Sequence, residues 1–335
     1  MLSAPKRQSQ GVKSAGGDKR MVRAMKRTDR NLHKKPSLWA ALLRYKYLYL
    51  MLIPGLAYVI LFKYLPIAGN VIAFKDYKIF KGIWGSPWCG LDNFVRLFQS
   101  DNFYQIMGNT LIISFYKILI GFPIPILLAL LINEVNSAAF KKTVQTVAYL
   151  PHFISWVVIA SLASTLLSPN DGAINMVREQ MGLNSIFFMG DSRYFRGVLV
   201  VSDIWKEMGW SAIIYLAALA GIPLDMYEAA TIDGASKLQK LVYITLPSIV
   251  PTIIIMLLLR VGGILNAGFE QVFTMYNPSV YDVADIIDTY VYRVGIVQTK
   301  YGFSAAVGLF KSVIACVMVV SCNWLSGKAE QETLF

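Results

Sequence analysis

The chain has 335 residues, of which 56% are hydrophobic and 16% are charged, and its mean hydropathy is +0.50. Soluble domains carry about 25% charged residues, so this composition is typical of a membrane protein. The net charge of +12 comes almost entirely from residues 1–46, where thirteen Lys and Arg stand against Asp18 and Asp29. The rest of the chain is nearly neutral, and we expect no nucleic-acid partner.

Residues 1–44 form a basic segment that lacks apolar periodicity, and we predict a disordered cytoplasmic arm. It is too long for the charged front of a signal peptide, and no small-residue cleavage site follows the first apolar run. An RNA-binding role would need an interleaved aromatic platform, which the arm lacks. Its last basic residues flank the first span and hold the N-terminus in the cytoplasm, with membrane lipid attracting each by about 1 kcal/mol.

Six apolar segments are long enough to cross a bilayer, which takes about 20 residues. Residues 45–335 are therefore predicted to be an all-α, polytopic membrane bundle. Six crossings from a cytoplasmic N-terminus return the C-terminus to the cytoplasm and place the segment between spans four and five there. Lys141 and Lys142 then lie in a short inside loop, which agrees with the positive-inside tendency. The predicted spans are residues 47–73, 106–132, 146–168, 197–221, 248–269 and 303–325.

Several of these spans contain proline, which disturbs a helix. Such residues persist in a membrane where neighbouring helices or water satisfy the released backbone groups. Kinked helices around a cavity and ordinary bundle packing both account for them, and the sequence does not choose between the two. The prolines are Pro54, Pro66, Pro123, Pro125, Pro151 and Pro251.

Charged residues inside a span require a reason, because a charge at mid-bilayer costs roughly 3 kcal/mol or more. Asp203 and Lys206 are three residues apart on one helical face, so we expect them to neutralise each other. Acidic, amide and indole groups together suit an outward-opening vestibule for a sugar; interfacial anchoring is the alternative interpretation. The candidate pathway residues are Trp156, Asp203, Trp205, Lys206, Glu207, Trp210, Tyr215, Asn266 and Glu270.

The sequence offers no catalytic or metal-binding constellation. The three cysteines do not form a disulfide framework, and the two histidines, His33 and His152, are far apart. We expect an ordinary surface position for His33 and an ordinary span-end position for His152. No cofactor in this chain is therefore expected, and a membrane-embedded enzyme is disfavoured.

Residues 223–247 are unusually polar for a segment that lies between two apolar runs. Pro223 is placed to begin a short helix, because its fixed φ suits a first helical position. Gly234 falls where that helix would end in a turn of positive φ. A second short helix is predicted over 235–246, and Pro247 marks the start of the next element. The pattern predicts two short helices on a membrane surface, joined at Asp233 and Gly234.

The spacing of this segment resembles the EAA motif of ATP-binding-cassette (ABC) importer permeases: Glu-Ala-Ala, three residues, Gly, nine residues, Ile-x-Leu-Pro. Here Glu228-Ala229-Ala230 is followed by Gly234 and, nine residues later, by Ile244-Thr245-Leu246-Pro247. An ordinary amphipathic loop helix is the alternative. By the resemblance, the residues that couple to an ATPase are Glu228, Ala229, Ala230, Asp233, Gly234, Ala235, Leu246 and Pro247.

Residues 47–325 also resemble one subgroup, the LplB-like permeases associated with import of polysaccharides and complex oligosaccharides. The motif departs from the expected pattern at Leu238 and Leu241, where aromatic residues are common; both remain apolar. The segments that carry the resemblance are residues 62–66 (FKYLP), 73–77 (AFKDY), 90–94 (GLDNF), 149–156 (YLPHFISW), 277–282 (NPSVYD) and 288–293 (DTYVYR).

The resemblance implies a type I ABC importer permease with a MetI-like fold in a bacterial cell membrane. A second, homologous permease would pair with this chain, two ATPase subunits would bind ATP and Mg²⁺, and an extracytoplasmic binding protein would deliver the oligosaccharide. The chain lacks a G-x-x-x-x-G-K-[ST] phosphate loop and is not expected to be the ATPase. A secondary transporter or channel is the main rival; six spans without a visible inverted repeat argue against it.

Overall fold

The computed structural model describes residues 45–328, which fold almost wholly into helices. Within that range there is no β-strand, and one isolated bridge joins Lys75 and Trp88. Four helices are long and apolar enough to cross a membrane, and the number rises to six if each of two bent helix pairs is one span. The predicted all-α, polytopic bundle is confirmed. The predicted basic arm, residues 1–44, lies outside the described residues.

Contacts divide the chain into two units, Met1–Ala68 and Gly69–Phe335. The described part of the first unit is helical from Lys46 onward, and the second unit contains the remaining elements. The helices used below are α1 (Lys46–Phe74), α2 (Asp92–Phe98), α3 (Asp101–Glu134), α4 (Ala138–Phe153), α5 (Trp156–Leu166), α6 (Ala173–Gln180), α7 (Ser192–Ala220), α8 (Leu224–Ile232), α9 (Lys237–Gly262), α10 (Phe269–Met275), α11 (Ile287–Tyr292) and α12 (Tyr301–Lys328).

Three spans accommodate a proline in the same way. A single π-helical turn ends two residues before Pro66 in α1, before Pro123 in α3 and before Pro247 in α9. Proline has no N–H and its ring clashes with the carbonyl group four residues earlier, so the wider turn relieves a clash that a regular helix would impose. The prolines therefore shape these helices without breaking them.

The predicted third span, residues 146–168, is not one continuous helix in the structure. The helix α4 ends in a 3₁₀ turn at Leu150–Phe153, extended backbone follows at Ile154, and α4 and α5 meet at 102°. Pro151 cannot continue the α-helical hydrogen-bond pattern, and the Ser155 hydroxyl starts α5 by accepting a hydrogen bond from the N–H of Val158. Hydropathy runs smoothly across this break and did not reveal it.

The helix of the predicted fifth span, residues 248–269, begins and ends earlier in the chain than the prediction. The helix α9 begins at Lys237 and ends at Gly262, and the chain turns at Gly268 (φ +93°) before α10 starts. The separate helix predicted over 235–246 is also wrong in part, because the backbone from Lys237 continues through a π turn into the span. The part of the polar segment from Lys237 onward and the span form one continuous helical rod.

The hydrophobic core that supports this rod lies where α3, α7 and α9 meet. Leu130 of α3, Tyr215 and Leu219 of α7 and Ile249 of α9 are among its buried members, and residues of the 223–247 segment pack against them. We call this end of the bundle the loop end. Two further clusters occupy the remainder of the second unit, around α7 and α10 and around α11 and α12.

Candidate functional sites: the 223–247 loop and the buried charged cluster

The first helix of the 223–247 loop ends in a fully formed Schellman motif. Gly234 has φ +77°, its N–H donates to the carbonyl group of Thr231 at 3.1 Å, and the N–H of Ala235 donates to that of Ala230 at 2.9 Å. This pattern of bonds defines the motif and requires a left-handed residue at the position of Gly234. The predicted turn at Asp233 and Gly234 is confirmed as a specific helix cap.

Two side-chain hydrogen bonds join the loop helix α8 to the start of α9. The hydroxyl groups of Tyr227 and Thr245 lie 2.9 Å apart, and the Lys240 ammonium donates to the Thr231 hydroxyl at 2.7 Å. Ser236 and Gln239 form a capping box at the start of α9. The loop is therefore fixed to the span that follows it, so a displacement of α8 would be transmitted to α9.

The outer face of α8 is open to solvent in this chain. Glu228, Ala229 and Asp233 are exposed, and Ile232 is 87% exposed. Among the described residues, no hydrogen-bond donor or cation contacts the Glu228 carboxylate. This face of α8 is therefore free to contact another protein.

The last two motif residues occupy different positions from the first six. Leu246 packs against the core cluster at the loop end, and the exposed Pro247 follows the π turn of α9. Both residues define the path of the rod and do not extend the exposed face of α8. Their assignment to ATPase coupling remains a prediction, and the structure shows only a supporting position.

Asp203 of α7 lies in a buried charged cluster, with partners other than the one expected. Asp203 is 3.1 Å from the Lys117 ammonium of α3 and 3.2 Å from the Arg260 guanidinium of α9. The expected neutralisation of Asp203 by Lys206 is wrong. Three spans thus meet at one carboxylate, which suits the low polarity around it because a buried charge must be paired.

Lys206 instead satisfies backbone groups at the break between α4 and α5. Its ammonium donates to the carbonyl groups of His152 at 2.6 Å and Ile154 at 2.5 Å, and it lies 5.5 Å from the centre of the Trp156 ring. Helix ends leave carbonyl groups without helical partners, and a cation is a favourable donor to them. The break therefore explains why a lysine lies inside this span.

His152 is the site residue that sequence reasoning missed. Its Nδ1 lies 2.9 Å from a carboxylate oxygen of Glu207, and its ring stacks on Trp210 with the centroids 4.4 Å apart. Trp210 and Glu207 both remain partly accessible. The signal for His152 in the sequence is its position directly after Pro151, because a proline there predicts irregular backbone. The three side chains form an aromatic and acidic surface.

A small cleft of about 90 Å³ opens beside this cluster. Asp203, Glu207 and Arg260 border it, and Tyr215 forms part of its wall. Tyr215 is only 2% exposed and packs in the core at the loop end, so the structure supports a packing role for it. Glu207 and Arg260 are the more accessible charged members, whereas Asp203 is buried.

The remaining predicted pathway residues are not brought to this cleft. Trp205 borders a separate apolar groove, with Ile159 and Phe188 on its walls. Asn266 and Glu270 are exposed, and neither forms a hydrogen bond or ion pair with the charged cluster through its side chain. The single vestibule expected from sequence is therefore divided between at least two surfaces.

Comparisons with known proteins agree with this architecture. Residues 121–330 match the family described as "Binding-protein-dependent transport system inner membrane component". The chain is 46% identical over 299 residues to Protein LplB of Bacillus subtilis (strain 168), which covers 89% of this chain and 94% of the relative. It is 45% identical over 302 residues to the polygalacturonan/rhamnogalacturonan transport system permease protein YteP of the same organism, covering 90% and 94%.

Solved structures give the same result. A crystal structure of a bacterial ABC transporter involved in the import of the acidic polysaccharide alginate matches with a TM-score of 0.81 and 44% identity, covering 87% of this chain and 98% of that chain. A second structure, of a bacterial alginate ABC transporter in complex with an alginate pentasaccharide-bound periplasmic protein, matches with a TM-score of 0.82 and 42% identity, covering 89% and 99%. The resemblance found in the sequence is confirmed: this chain belongs to the family of inner membrane components of binding-protein-dependent transport systems.

Proposed function

We propose that the chain is one permease subunit of an ATP-driven importer of complex oligosaccharides or polysaccharide fragments. It would form half of the translocation pathway and pair with a second, homologous permease. The observation that carries the proposal is the exposed helix α8, capped at Gly234 and bonded to α9 through Tyr227 and Thr245. A helix that is open outward and rigidly joined inward has the properties of a coupling element.

The proposed coupling requires an ATPase on the loop side of the membrane. Two ATPase subunits would bind ATP and Mg²⁺, and α8 of this chain would dock on one of them through Glu228, Ala229 and the exposed Ile232. Closure of the ATPase pair would move α8, and the bonds to α9 would pass the displacement into the bundle as a rigid-body shift between two arrangements. No covalent chemistry is assigned to this chain.

The proposed orientation places both termini and the loop end in the cytoplasm. Lys141 and Lys142 support it, because they lie in the first turns of α4, directly after α3 has reached the loop end at Glu134. Cytoplasmic loops carry an excess of Lys and Arg. An extracytoplasmic binding protein would then approach the opposite end of the bundle.

The proposed solute is an oligosaccharide. Relatives named for polygalacturonan, rhamnogalacturonan and alginate support this class, and so does the accessible surface formed by His152, Glu207 and Trp210. Indole rings stack on the C–H faces of sugars, and a carboxylate accepts hydrogen bonds from hydroxyl groups. Trp156, Trp205, Asn266 and Glu270 stay predicted pathway residues.

Reconstitution tests the proposal directly. The chain, its neighbouring permease, the ATPase and the binding protein would be placed in proteoliposomes and given a panel of labelled oligosaccharides. Uptake is expected only with hydrolysable ATP and with all four proteins present. ATP-independent uptake by this chain alone would instead indicate a secondary transporter or channel and overturn the proposal.

A further inference from the structure

A cavity of about 530 Å³ lies in the second unit, between α2, the turn after α1 and the start of α12. Polar side chains form most of its wall. Its charged lining consists of Lys75, Arg96, Arg293 and Lys300 with a single acid, Asp76. The cavity is far richer in cations than in anions, and the family assignment does not account for it.

Most of this positive charge is not neutralised within the described part of the chain. Arg293 is paired with Asp285, whereas the Lys75 ammonium donates only to carbonyl groups, at 2.7 Å to Ile83 and 3.4 Å to Ser86. Within residues 45–328, no carboxylate lies at ion-pair distance from Lys75, Arg96 or Lys300. Clustered cations in a concave site attract an anion, and Arg in particular forms charge-assisted hydrogen bonds with phosphate or carboxylate.

An apolar groove of about 340 Å³ meets the cavity at Tyr301, which borders both. The groove follows one side of α12, past Ala305, Gly308 and Leu309, with Ile72 on its opposite wall. Gly308 has open space where a side chain would be. A cationic cavity that continues into an apolar groove matches a ligand with an anionic head and a hydrocarbon chain.

The position of the cavity along the spans fits such a ligand. Residues 70–74 are the last turns of the first span, and Tyr301 begins α12. At Gly302 the two segments approach so closely that an added Cβ would lie 2.6 Å from the carbonyl oxygen of Lys75 and 3.1 Å from that of Ile72. The cavity therefore lies at the ends of two spans, where a membrane protein meets the lipid headgroups.

The segment 78–86, which is held by hydrogen bonds beside the cavity, supports the same depth in the membrane. The Ser86 hydroxyl donates to the carbonyl group of Gly82 at 2.6 Å and accepts a hydrogen bond from the N–H of Lys78 at 3.0 Å. These hydrogen bonds fix the segment that contains Phe80 and Trp84, whose side chains are almost completely exposed. Exposed aromatic residues next to lysine are typical of segments that anchor at a membrane interface.

We propose that the cavity and groove bind one anionic phospholipid. Arg96 and Lys300 would hold its phosphate, and an acyl chain would lie in the groove against Gly308. A sugar carboxylate or an acidic side chain of a binding protein would pair with the cations but would leave the apolar groove empty. The lipid is favoured because it fills both parts of the site.

The first test compares lipid binding by the assembled transporter. Phosphatidylglycerol retained by the purified complex would be measured by native mass spectrometry, and affinity would be measured by thermal stabilisation in detergent. The double variant Arg96→Ala/Lys300→Ala should bind phosphatidylglycerol at least about tenfold more weakly, since two charge-assisted contacts are lost. The matched control is Lys142→Ala/Arg178→Ala, which removes two cations outside the cavity and should bind as the unaltered complex does.

The second test separates the headgroup from the acyl chain. Gly308→Leu should fill the groove and reduce phosphatidylglycerol binding several-fold, while Val317→Leu, at an exposed position of α12, should not. Phosphatidylcholine and inorganic phosphate should both bind more weakly than phosphatidylglycerol. The proposal would be overturned by equal binding of phosphatidylglycerol and phosphatidylcholine, or by unchanged binding in both the cavity and the groove variants. It would also be overturned if inorganic phosphate, a uronic acid or the binding protein bound more tightly at this site than phosphatidylglycerol does.

Discussion

The ammonium group of Lys117 lies 3.1 Å from the carboxylate of Asp203 and 2.9 Å from the carbonyl oxygen of Ala267. It also donates to the side-chain oxygen of Gln271, whose amide in turn donates to the carbonyl group of Leu199. Lys117 therefore joins α3 and α7 to the connection that follows α9. Lys206 does the same at the break between α4 and α5, so two buried lysines each hold a point at which a span is interrupted.

The first prediction concerns this buried pair. Lys117→Met should lower the stability of the permease by about 3 kcal/mol, because Asp203 stays buried with only the partly exposed Arg260 as a partner. The measurement is thermal unfolding of the purified chain in detergent. Lys142→Met, at an exposed position on α4, is the matched control and should unfold as the unaltered chain does.

The double variant Lys117→Met/Asp203→Asn identifies the cause of that loss. Removing the carboxylate also removes the unpaired buried charge, so the double variant should regain part of the stability that the single variant lost. Equal stability of Lys117→Met and the unaltered chain would contradict a structural role for the pair.

The second prediction concerns a close approach of two backbones. A Cβ at Gly209 of α7 would collide with the carbonyl oxygen of Ala148, whereas a Cβ at Gly197 of the same helix would meet no atom. Gly209→Ala should therefore force α7 away from α4 and destabilise the chain by about 1–3 kcal/mol. Gly197→Ala should be neutral or slightly stabilising, because alanine is the better helix former. Thermal unfolding measures both, and equal effects of the two substitutions would refute the assignment.

Much of the fold could be predicted from the sequence, because hydropathy reports burial in lipid over about 20 residues. The predicted spans 47–73, 106–132 and 303–325 coincide with α1, α3 and α12, which are long and apolar enough to cross a membrane. The turn at Gly234 follows instead from the glycine, which adopts positive φ readily. The sequence does not predict the breaks at Ile154 and after Gly262. Both lie in apolar sequence, and what stabilises them is a lysine on a different span, which no local pattern shows.

The site was predicted less completely for the same reason. Asp203 and Lys206 were identified as unusual, but helical spacing suggested the wrong partner, since each pairs with a segment distant in sequence. The sequence predicts an ordinary span-end position for His152, whereas in the structure it stacks on Trp210 and lies within hydrogen-bond distance of Glu207. Local spacing indicates which residues belong to such a cluster, but only the packing of separate helices shows which of them form hydrogen bonds or ion pairs with each other.

The third prediction concerns the surface formed by His152, Glu207 and Trp210. In reconstituted uptake assays, Glu207→Gln and Trp210→Ala should each raise the KM for oligosaccharide by about tenfold, because a charged hydrogen-bond acceptor or a stacking face is lost. Trp205→Phe, at a predicted pathway residue of the same helix that borders the separate apolar groove, should change KM less than either. A larger effect from Trp205→Phe than from the other two would move the pathway to that groove.

The fourth prediction concerns the exposed acid of α8. Glu228→Lys should leave the thermal stability of the chain unchanged, since among the described residues the Glu228 carboxylate has no partner to lose. It should weaken co-purification of the ATPase and reduce ATP-dependent uptake by about tenfold or more. Glu179→Lys makes the same charge reversal in α6, at an exposed position away from the loop, and is the control. Full uptake by Glu228→Lys would remove the acid from the proposed docking surface.

The last prediction tests whether the cap at Gly234 is needed for its geometry. Gly234→Pro should disrupt the loop, because proline fixes φ near −65° and removes the N–H that bonds the carbonyl group of Thr231. Gly234→Asn should be tolerated, since asparagine enters the left-handed region more readily than other residues and a Cβ at this position meets no atom. ATP hydrolysis and oligosaccharide uptake would be measured together on the reconstituted importer. The proline variant should lose uptake relative to hydrolysis while remaining folded in the membrane, and the asparagine variant should keep the two in proportion. Coupled transport by the proline variant would mean that this turn is not needed to join α8 to α9. The hydrogen bonds of Tyr227 and Lys240 would then be enough to transmit the movement.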